Sequence, residues 1–519
     1  MHRLLVYLSF CIVTTLGLIG QSTVTTQSED GVVRGRPNII WIYADDHAFQ
    51  AISAYHDRFR ELAPTPNIDR IAHEGALFKH SYVVNSICAP ARANILTGVH
   101  SHINGVLDNR IPISFDQPTF PAILREHGYT TAVFGKWHIK TKPEGFDEFK
   151  ILVGQGQYFN PDYRVKDGDG EKLVVLEGHS TDRTTTEAIE FIKANQDSGK
   201  PFMVMCQYKA PHGPWSPAMR NMDFLTDVEI PEPPTFNDGY RGRKAAAMSK
   251  MTILGNFVGE RFDRLLKGDP AKAHYNRLSE EELQKARNFY GYENRNITKG
   301  DLRETALKKE KYQRYIHDYL RTVQGNDQNV GRILDFLDES GLAENTLVCY
   351  SSDQGFYLGE HGWYDKRFMY NESFFTPLVM RWPGHIEPNT VVEELVQNID
   401  IAPTFLSLGK APIPTVMQGE DLTPLLYGIQ PQQWRSHLYY HFYESYDSTH
   451  EVPKHEGVFD GRYKLIHFYE LGAWEFFDCA ADPYEMHNRI NDPNSTGKIA
   501  ELKVELARLK RQYDVKEPI

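Results

Sequence analysis

Five short runs of almost unbroken apolar residues constrain this chain more than any other feature: Asn38–Ala44, Thr130–Trp137, Phe202–Tyr208, Leu347–Ser351 and Pro377–Trp382. A strand that faces water on one side alternates apolar and polar residues. Runs without alternation are buried on both faces, as in sheets covered by helices. Helical patterns lie between them. Ala188–Lys193 is one, and Tyr312–Leu337 another, with Ile316, Leu320, Val323, Val330, Ile333, Leu334 and Leu337 on one stripe. The alternation predicts an α/β domain, a mixed sheet sandwiched by helices. Such domains carry their sites at the carboxyl ends of the strands.

At 519 residues the chain suits one large domain and a smaller one. From about residue 435 the texture changes. His437–Tyr443, Val458–Phe468 and Trp474–Phe477 resemble an antiparallel meander, and Ile499–Tyr513 reads as an amphipathic closing helix. This predicts a C-terminal α+β subdomain over 435–519, after a main domain over 36–430. Within the main domain, residues 215–310 are rich in charge, carry Pro231, Pro233 and Pro234, and lack clear strands. They read as a long insertion of the kind that carries specificity.

The start of the chain reads as an export signal over residues 1–22. His2 and Arg3 precede an apolar run, Leu4–Gly20, with small residues at Gly20 and Ser22 for cleavage. The run falls short of the ~20 solidly apolar residues that a span needs, so no stable membrane span is expected. The expected location is the periplasm or the exterior. Of five cysteines, Cys11 leaves with the signal, so no disulfide framework is expected. A net charge of −12 argues against nucleic-acid binding. An anionic substrate then needs a local cationic pocket, which screening beyond ~10 Å permits.

Polar residues close the apolar runs. Asp45-Asp46 follows the first, Gly135-Lys136-Trp137-His138 ends the second, Ala210-Pro211-His212-Gly213-Pro214-Trp215 follows the third and Asp353-Gln354 the fourth. Strand-end carboxylates from separate segments can converge on a hard cation, calcium or magnesium rather than zinc. Each pair alone also suits a solvated turn or a helix cap. Two further segments stand out. One is Gly359-Glu360-His361-Gly362-Trp363-Tyr364-Asp365-Lys366-Arg367. The other runs from Cys88 through Pro90 and Arg92 to Leu96-Thr97-Gly98.

In this order, these segments resemble the type I, formylglycine-dependent sulfatases of the alkaline-phosphatase-like superfamily, bacterial polysaccharide sulfatases among them. Phe477–Met486 resembles the family's ending. The resemblance implies that a maturation enzyme oxidises Cys88 to formylglycine, whose hydrate attacks sulfur. It implies one divalent cation, calcium with magnesium open, held by Asp45, Asp46, Asp353, Gln354 and residue 88 itself. Arg92 would hold the hydrate, and Lys136 and Lys366 the sulfuryl oxygens. His212 would be the acid and His138 the base, roles that can be exchanged, each imidazole near its ordinary pKa of ~6.5. Two departures stand out: Gln354 where asparagine or histidine is common, and Asn371, followed by Glu372, where glutamate often follows the tyrosine.

The implied substrate is a sulfated carbohydrate such as ulvan, carrageenan or a glycosaminoglycan. Discrimination should come from groups around the leaving sugar: Asn109 and Arg110, His361 and Trp363, and the 215–310 insertion. Arg110 suits a bidentate grip on a sugar carboxylate, and Trp363 a flat face for a ring; a surface ion pair and a core residue are the alternatives. Two other functions stay open. One is a phosphonate or phosphate ester hydrolase of the same superfamily. The other is a non-catalytic carbohydrate-binding protein, if Cys88 is never converted.

Overall fold

The computed structural model describes residues 35–255, 275–298, 302–444 and 450–516. The expected export signal lies outside them, as does part of the insertion. The described strands, in chain order, are β1 (Asn38–Ala44), β2 (Ala76–Phe78), β3 (Ser81–Tyr82), β4 (Thr130–Gly135), β5 (Glu148–Leu152), β6 (Asp162–Asp167), β7 (Gly170–Val175) and β8 (Phe202–Gln207). They continue with β9 (Thr346–Ser352), β10 (Leu378–Arg381), β11 (Thr390–Val392), β12 (Val396–Gln397), β13 (Leu438–Phe442), β14 (His455–Phe459), β15 (Tyr463–Phe468) and β16 (Ala473–Asp478).

Ten of these form one mixed sheet in the order β11-β2-β10-β9-β1-β8-β4-β5-β6-β7. Its centre is parallel: β1 pairs with β8 and β9, and β4 with β8. In β1 the pleat sends Ile39, Trp41 and Tyr43 into one core and Ile40, Ile42 and Ala44 into the other. Both faces are therefore apolar, which is why the strand shows no alternation. Helices Pro66–His73, Ser180–Asn195 and Glu304–Glu339 bury Ile68, Ile192 and Ile333 on the second face. Helices Cys88–Thr97, Phe120–Glu126 and Ile401–Leu408 cover the first. No described helix is long and apolar enough to cross a membrane.

Strands β13 to β16 form an antiparallel sheet. One face of it, with Tyr439, Val458, Leu465 and Phe476, meets Leu502, Leu506 and Leu509 of the closing helix Thr496–Gln512. Each such leucine contributes about 1.5–3 kcal/mol by leaving water. The other face packs Tyr440, Phe459 and Phe477 against Tyr82, Phe368 and Phe374 of the main sheet's connections. Arg36 to Ile519 consequently forms one compact unit.

Glu475 of β16 is buried, with Oε1 unpartnered and Oε2 accepting from Tyr370 Oη at 2.7 Å. Burial pushes its carboxyl up to about 7, with Glu485 adding to the rise, against the Tyr370 bond and the Arg243 charge. The folded state therefore keeps a proton that the unfolded chain releases from about pH 4.5. Stability contributed by that proton falls as pH rises toward 7, by about 3 kcal/mol in all. Glu475→Gln should match the parent near pH 5 and melt at a higher temperature than it at pH 8. Parallel melting curves at both pH values would refute the assignment.

Candidate active site

Because β4, β8, β1 and β9 are parallel neighbours, their carboxyl ends lie side by side. Asp45 and Asp46 leave β1, Lys136 and His138 leave β4, His212 follows β8, and Asp353 and Gln354 leave β9. Asp46 and His138 adopt left-handed backbone, φ 65° and 60°. That strain costs on the order of 1–3 kcal/mol per residue and turns each side chain off the strand line. Gly135 must be glycine: a Cβ there would lie 1.9 Å from the Gln207 carbonyl oxygen, at φ 95°.

Cys88 opens the helix Cys88–Thr97, every residue of which is buried. Asn109 Oδ1 accepts from the Ala89 N–H at 2.9 Å, capping this helix. Arg92 lies one turn on. Its guanidinium donates to the Lys136 carbonyl (2.9 Å), Gln207 Oε1 (2.7 Å), Asp45 Oδ1 (3.3 Å) and Asp353 Oδ2 (3.2 Å). Lys136 pairs with Asp45, and Lys366 with Asp46. Three buried carboxylates thus face three buried cations.

Ligand atoms of Asp45, Asp46, Cys88 and Asp353 all lie within 4.8 Å of one another. Burial and Asp45 push the Asp353 carboxyl well up. Burial pushes Asp46 up to about 6, against the Lys366 charge. Burial acts on Asp45 too, but Lys136 and its other neighbours hold it well below the usual range. Gln354 donates from Nε2 to Asp46 Oδ1 (2.5 Å) and Asp353 Oδ1 (2.7 Å), leaving its Oε1 buried without a partner. Crowded carboxylates and an orphaned amide oxygen are what a hard cation requires. The residues fit a divalent metal.

His212 Nε2 stands 3.8 Å from Asp46 Oδ2, and its Nδ1 donates to the Gly213 carbonyl at 2.7 Å. His138 Nδ1 is buried without a partner. Neither imidazole keeps an ordinary pKa. Burial and Lys136 push His138 down to about 2, and the same causes hold His212 well below its usual value. Both are neutral here, contrary to the expectation of a value near 6.5, because two lysines and an arginine share their low-dielectric site. An anionic sulfate ester would act in the opposite sense.

The structure corrects two candidates for sugar contact. Trp363 is fully buried, stacked at 5.1 Å on Phe368 and 5.3 Å on Tyr240, and offers no face to a ring. His361 is also fully buried, its Nδ1 2.7 Å from Asp238 Oδ2. Both brace the turn before Lys366 from inside. Described parts of the insertion form the brace: Thr235 Oγ1 accepts from the His361 N–H, and Tyr240 Oη donates to the His361 carbonyl. Arg110 is exposed and pairs with Asp108 at 2.6 Å.

Sequence reading missed Asp365 and Arg367. They flank Lys366 at φ 80° and 98°, buried and paired with each other. Glu444 receives the Arg367 Nε–H at 3.1 Å, and His450 Nε2 lies 3.1 Å from Asp365. Gln207 was missed too; a polar residue inside the otherwise apolar run Phe202–Tyr208 was its signal. The structure also accounts for Asn371. Its Oδ1 accepts from Lys464 Nζ at 2.7 Å, and that buried lysine pairs with buried Glu485. A glutamate at 371 would set a second carboxylate on one cation.

The sulfatase family model matches residues 37–411, and the model of the N-sulphoglucosamine sulphohydrolase C-terminal part matches 359–512. The chain belongs to the sulfatase family and is a sulfuric ester hydrolase of the alkaline-phosphatase-like fold. Among its relatives, it is 41% identical over 498 residues to an N-acetylglucosamine-6-O-sulfatase of Bacteroides thetaiotaomicron, spanning 93% of this chain and 88% of that protein. A solved structure in complex with its substrate D-glucosamine-2-N,6-O-disulfate superposes with a TM-score of 0.88 at 42% identity, over 93% of this chain and 99% of that one. An ulvan-active sulfatase of Formosa agariphila is 25% identical over 88% of this chain and 78% of its own length.

Proposed function

We propose that this sulfatase removes the 6-O-sulfate from glucosamine residues of sulfated glycans. The observation that carries this is the 41–42% identity, over nine-tenths of the chain, to proteins named for that substrate class. The chemistry we assign is that of residue 88 oxidised to formylglycine by a maturation enzyme. Its hydrate offers one oxygen to attack sulfur and a second whose deprotonation expels sulfate. In support, burial pushes the Cys88 thiol up, so the unmodified side chain is a poor nucleophile. A divalent metal, which we assign as calcium on Asp45, Asp46, Asp353, Gln354 and residue 88, would supply charge to hold the hydrate's oxyanion.

Arg92, one helical turn from residue 88, stabilises that same oxyanion. Lys136 and Lys366 face the sulfuryl oxygens. His212 donates a proton to the departing sugar oxygen, and His138 takes one from the hydrate. With three carboxylates balanced by three cations, a divalent metal leaves a net positive charge that suits a sulfate ester. We assign recognition of the sugar to Asp365 and Arg367, charged groups held on strained backbone beside Lys366. The basic and apolar start of the chain supports export, to the periplasm or beyond.

The test is turnover on N-acetylglucosamine-6-sulfate, galactose-6-sulfate and an aryl phosphonate. The glucosamine ester should be preferred by about tenfold or more, the worth of one well-placed polar contact. Equal rates on the two sugars would overturn the substrate, and a faster phosphonate reaction the reaction class.

A further inference from the structure

His212 rides on the loop that follows β8, and its main-chain oxygens are tied down one after another. Asn326 Nδ2 donates to the Ala210 carbonyl at 2.7 Å, and Tyr158 Oη to the His212 carbonyl at 2.5 Å. The Gly213 carbonyl receives two donors: the His212 Nδ1–H at 2.7 Å and Lys209 Nζ at 3.3 Å. Tyr158 and Asn326 are fully buried, and Lys209 is 1% exposed. The Lys209 ammonium also lies 4.9 Å from the centre of the Tyr158 ring. Burying an ammonium costs several kcal/mol unless its contacts repay it. Here those contacts include a carbonyl that decides which nitrogen of His212 bears the resting proton.

We propose that Lys209 is a positioning residue for departure of the sugar, fixing the Gly213 carbonyl that sets the tautomer and direction of His212. This rests on the reading of His212 as the proton donor. With Nδ1–H held by Gly213, Nε2 is the nitrogen turned toward the reacting centre. As an oxygen bonds to sulfur, the bond from sulfur to the sugar oxygen breaks and its electron pair stays on that oxygen. The oxygen takes the Nε2 proton of an imidazolium, which His212 forms by drawing one proton from solvent as the anionic ester binds beside it. The imidazole left behind is the Nδ1–H tautomer already bonded to Gly213, so no ring turn is needed. If the carbonyl swings, Nδ1 loses its acceptor and the ring can present the wrong tautomer, a fault that is costly wherever histidine moves a proton.

The consequence is selective. A sugar alkoxide leaves poorly and depends on the proton, whereas 4-nitrophenolate does not; general acid catalysis is worth about 10²–10⁴-fold where it is needed. Lys209→Met should lower kcat/KM on a sugar 6-sulfate about tenfold more than on 4-nitrophenyl sulfate, and make rates across aryl sulfates fall more steeply as the phenol becomes less acidic. Lys209→Arg, which restores a donor, should recover most of the difference. Tyr158→Phe, losing one hydroxyl on the other side of the loop, should show the same preferential loss, and decides the matter if Lys209→Met does not fold. Equal losses on both ester types in the folded variants, or none, would overturn the proposal. A parent protein inactive on every sulfate ester would overturn the sulfatase reading instead.

Discussion

Cys88→Ala should fold, melt close to the parent and lose about 10⁴-fold or more of its turnover, the usual cost of deleting a covalent nucleophile. The substitution removes one buried sulfur from the start of a helix whose other packing is untouched, so the fold has little to lose. Active parent protein should carry at position 88 the mass of an aldehyde rather than a thiol. The two measurements separate the readings. Full activity with an intact thiol at 88 would reject the proposed nucleophile, because that thiol is buried and hard to ionise. An unconverted, inactive protein that still binds the sugar would return attention to a carbohydrate-binding role.

Removal of divalent metal should be nearly as damaging, and should show in stability as well as rate. Without a cation, Asp46 and Asp353 stay crowded near Asp45 with their carboxyls pushed up, so a metal must compete with protons for them, the more so as pH falls. Adding calcium to chelated protein at about 100 times its dissociation constant should stabilise the fold by about 2.7 kcal/mol, read as a rise in melting temperature. Asp353→Ala should abolish that rise and lower turnover by about 10³-fold or more, the scale of losing one strong electrostatic partner at a reacting centre. A magnesium-selective rise would change the metal. Metal-free protein that keeps its rate and its melting temperature would reject the site.

How much of this was legible in the sequence depends on burial. Strand β1 shows both its limits, Asn38 and Ala44, because both faces are covered and nothing polar interrupts it. Strands β5 to β7 were not expected. Glu148, Lys150, Arg164 and Lys166 stand among their inward residues, and β7 is an edge strand with Leu173 and Val175 exposed. The long helix begins at Glu304, before the expected Tyr312, because its first two turns are largely exposed and carry no apolar stripe. In the site, residues that close apolar runs were readable: Asp45, Asp46, Lys136, His138, His212 and Asp353 all stand there. Trp363 was not, since a loop tryptophan gives no sign of which way it faces. Asp365 and Arg367 were hidden for another reason: their distinction is a left-handed backbone, and no residue type announces it.

The burial of Cys88 also bears on the order of events in the protein's biosynthesis. The residue lies at the start of a buried helix, with 1% of its surface exposed. Another protein cannot seat this segment in its own catalytic cleft once the chain has closed around it. On the reading proposed above, oxidation of Cys88 must come while the nascent chain is still open, ahead of the pairing of β1 with β9 that brings residues some three hundred apart in the chain together. A chain that folds before it meets the maturation enzyme is then committed to inactivity until it unfolds. The yield of active enzyme in any host becomes a race between two rates, and slowing folding should raise the converted fraction.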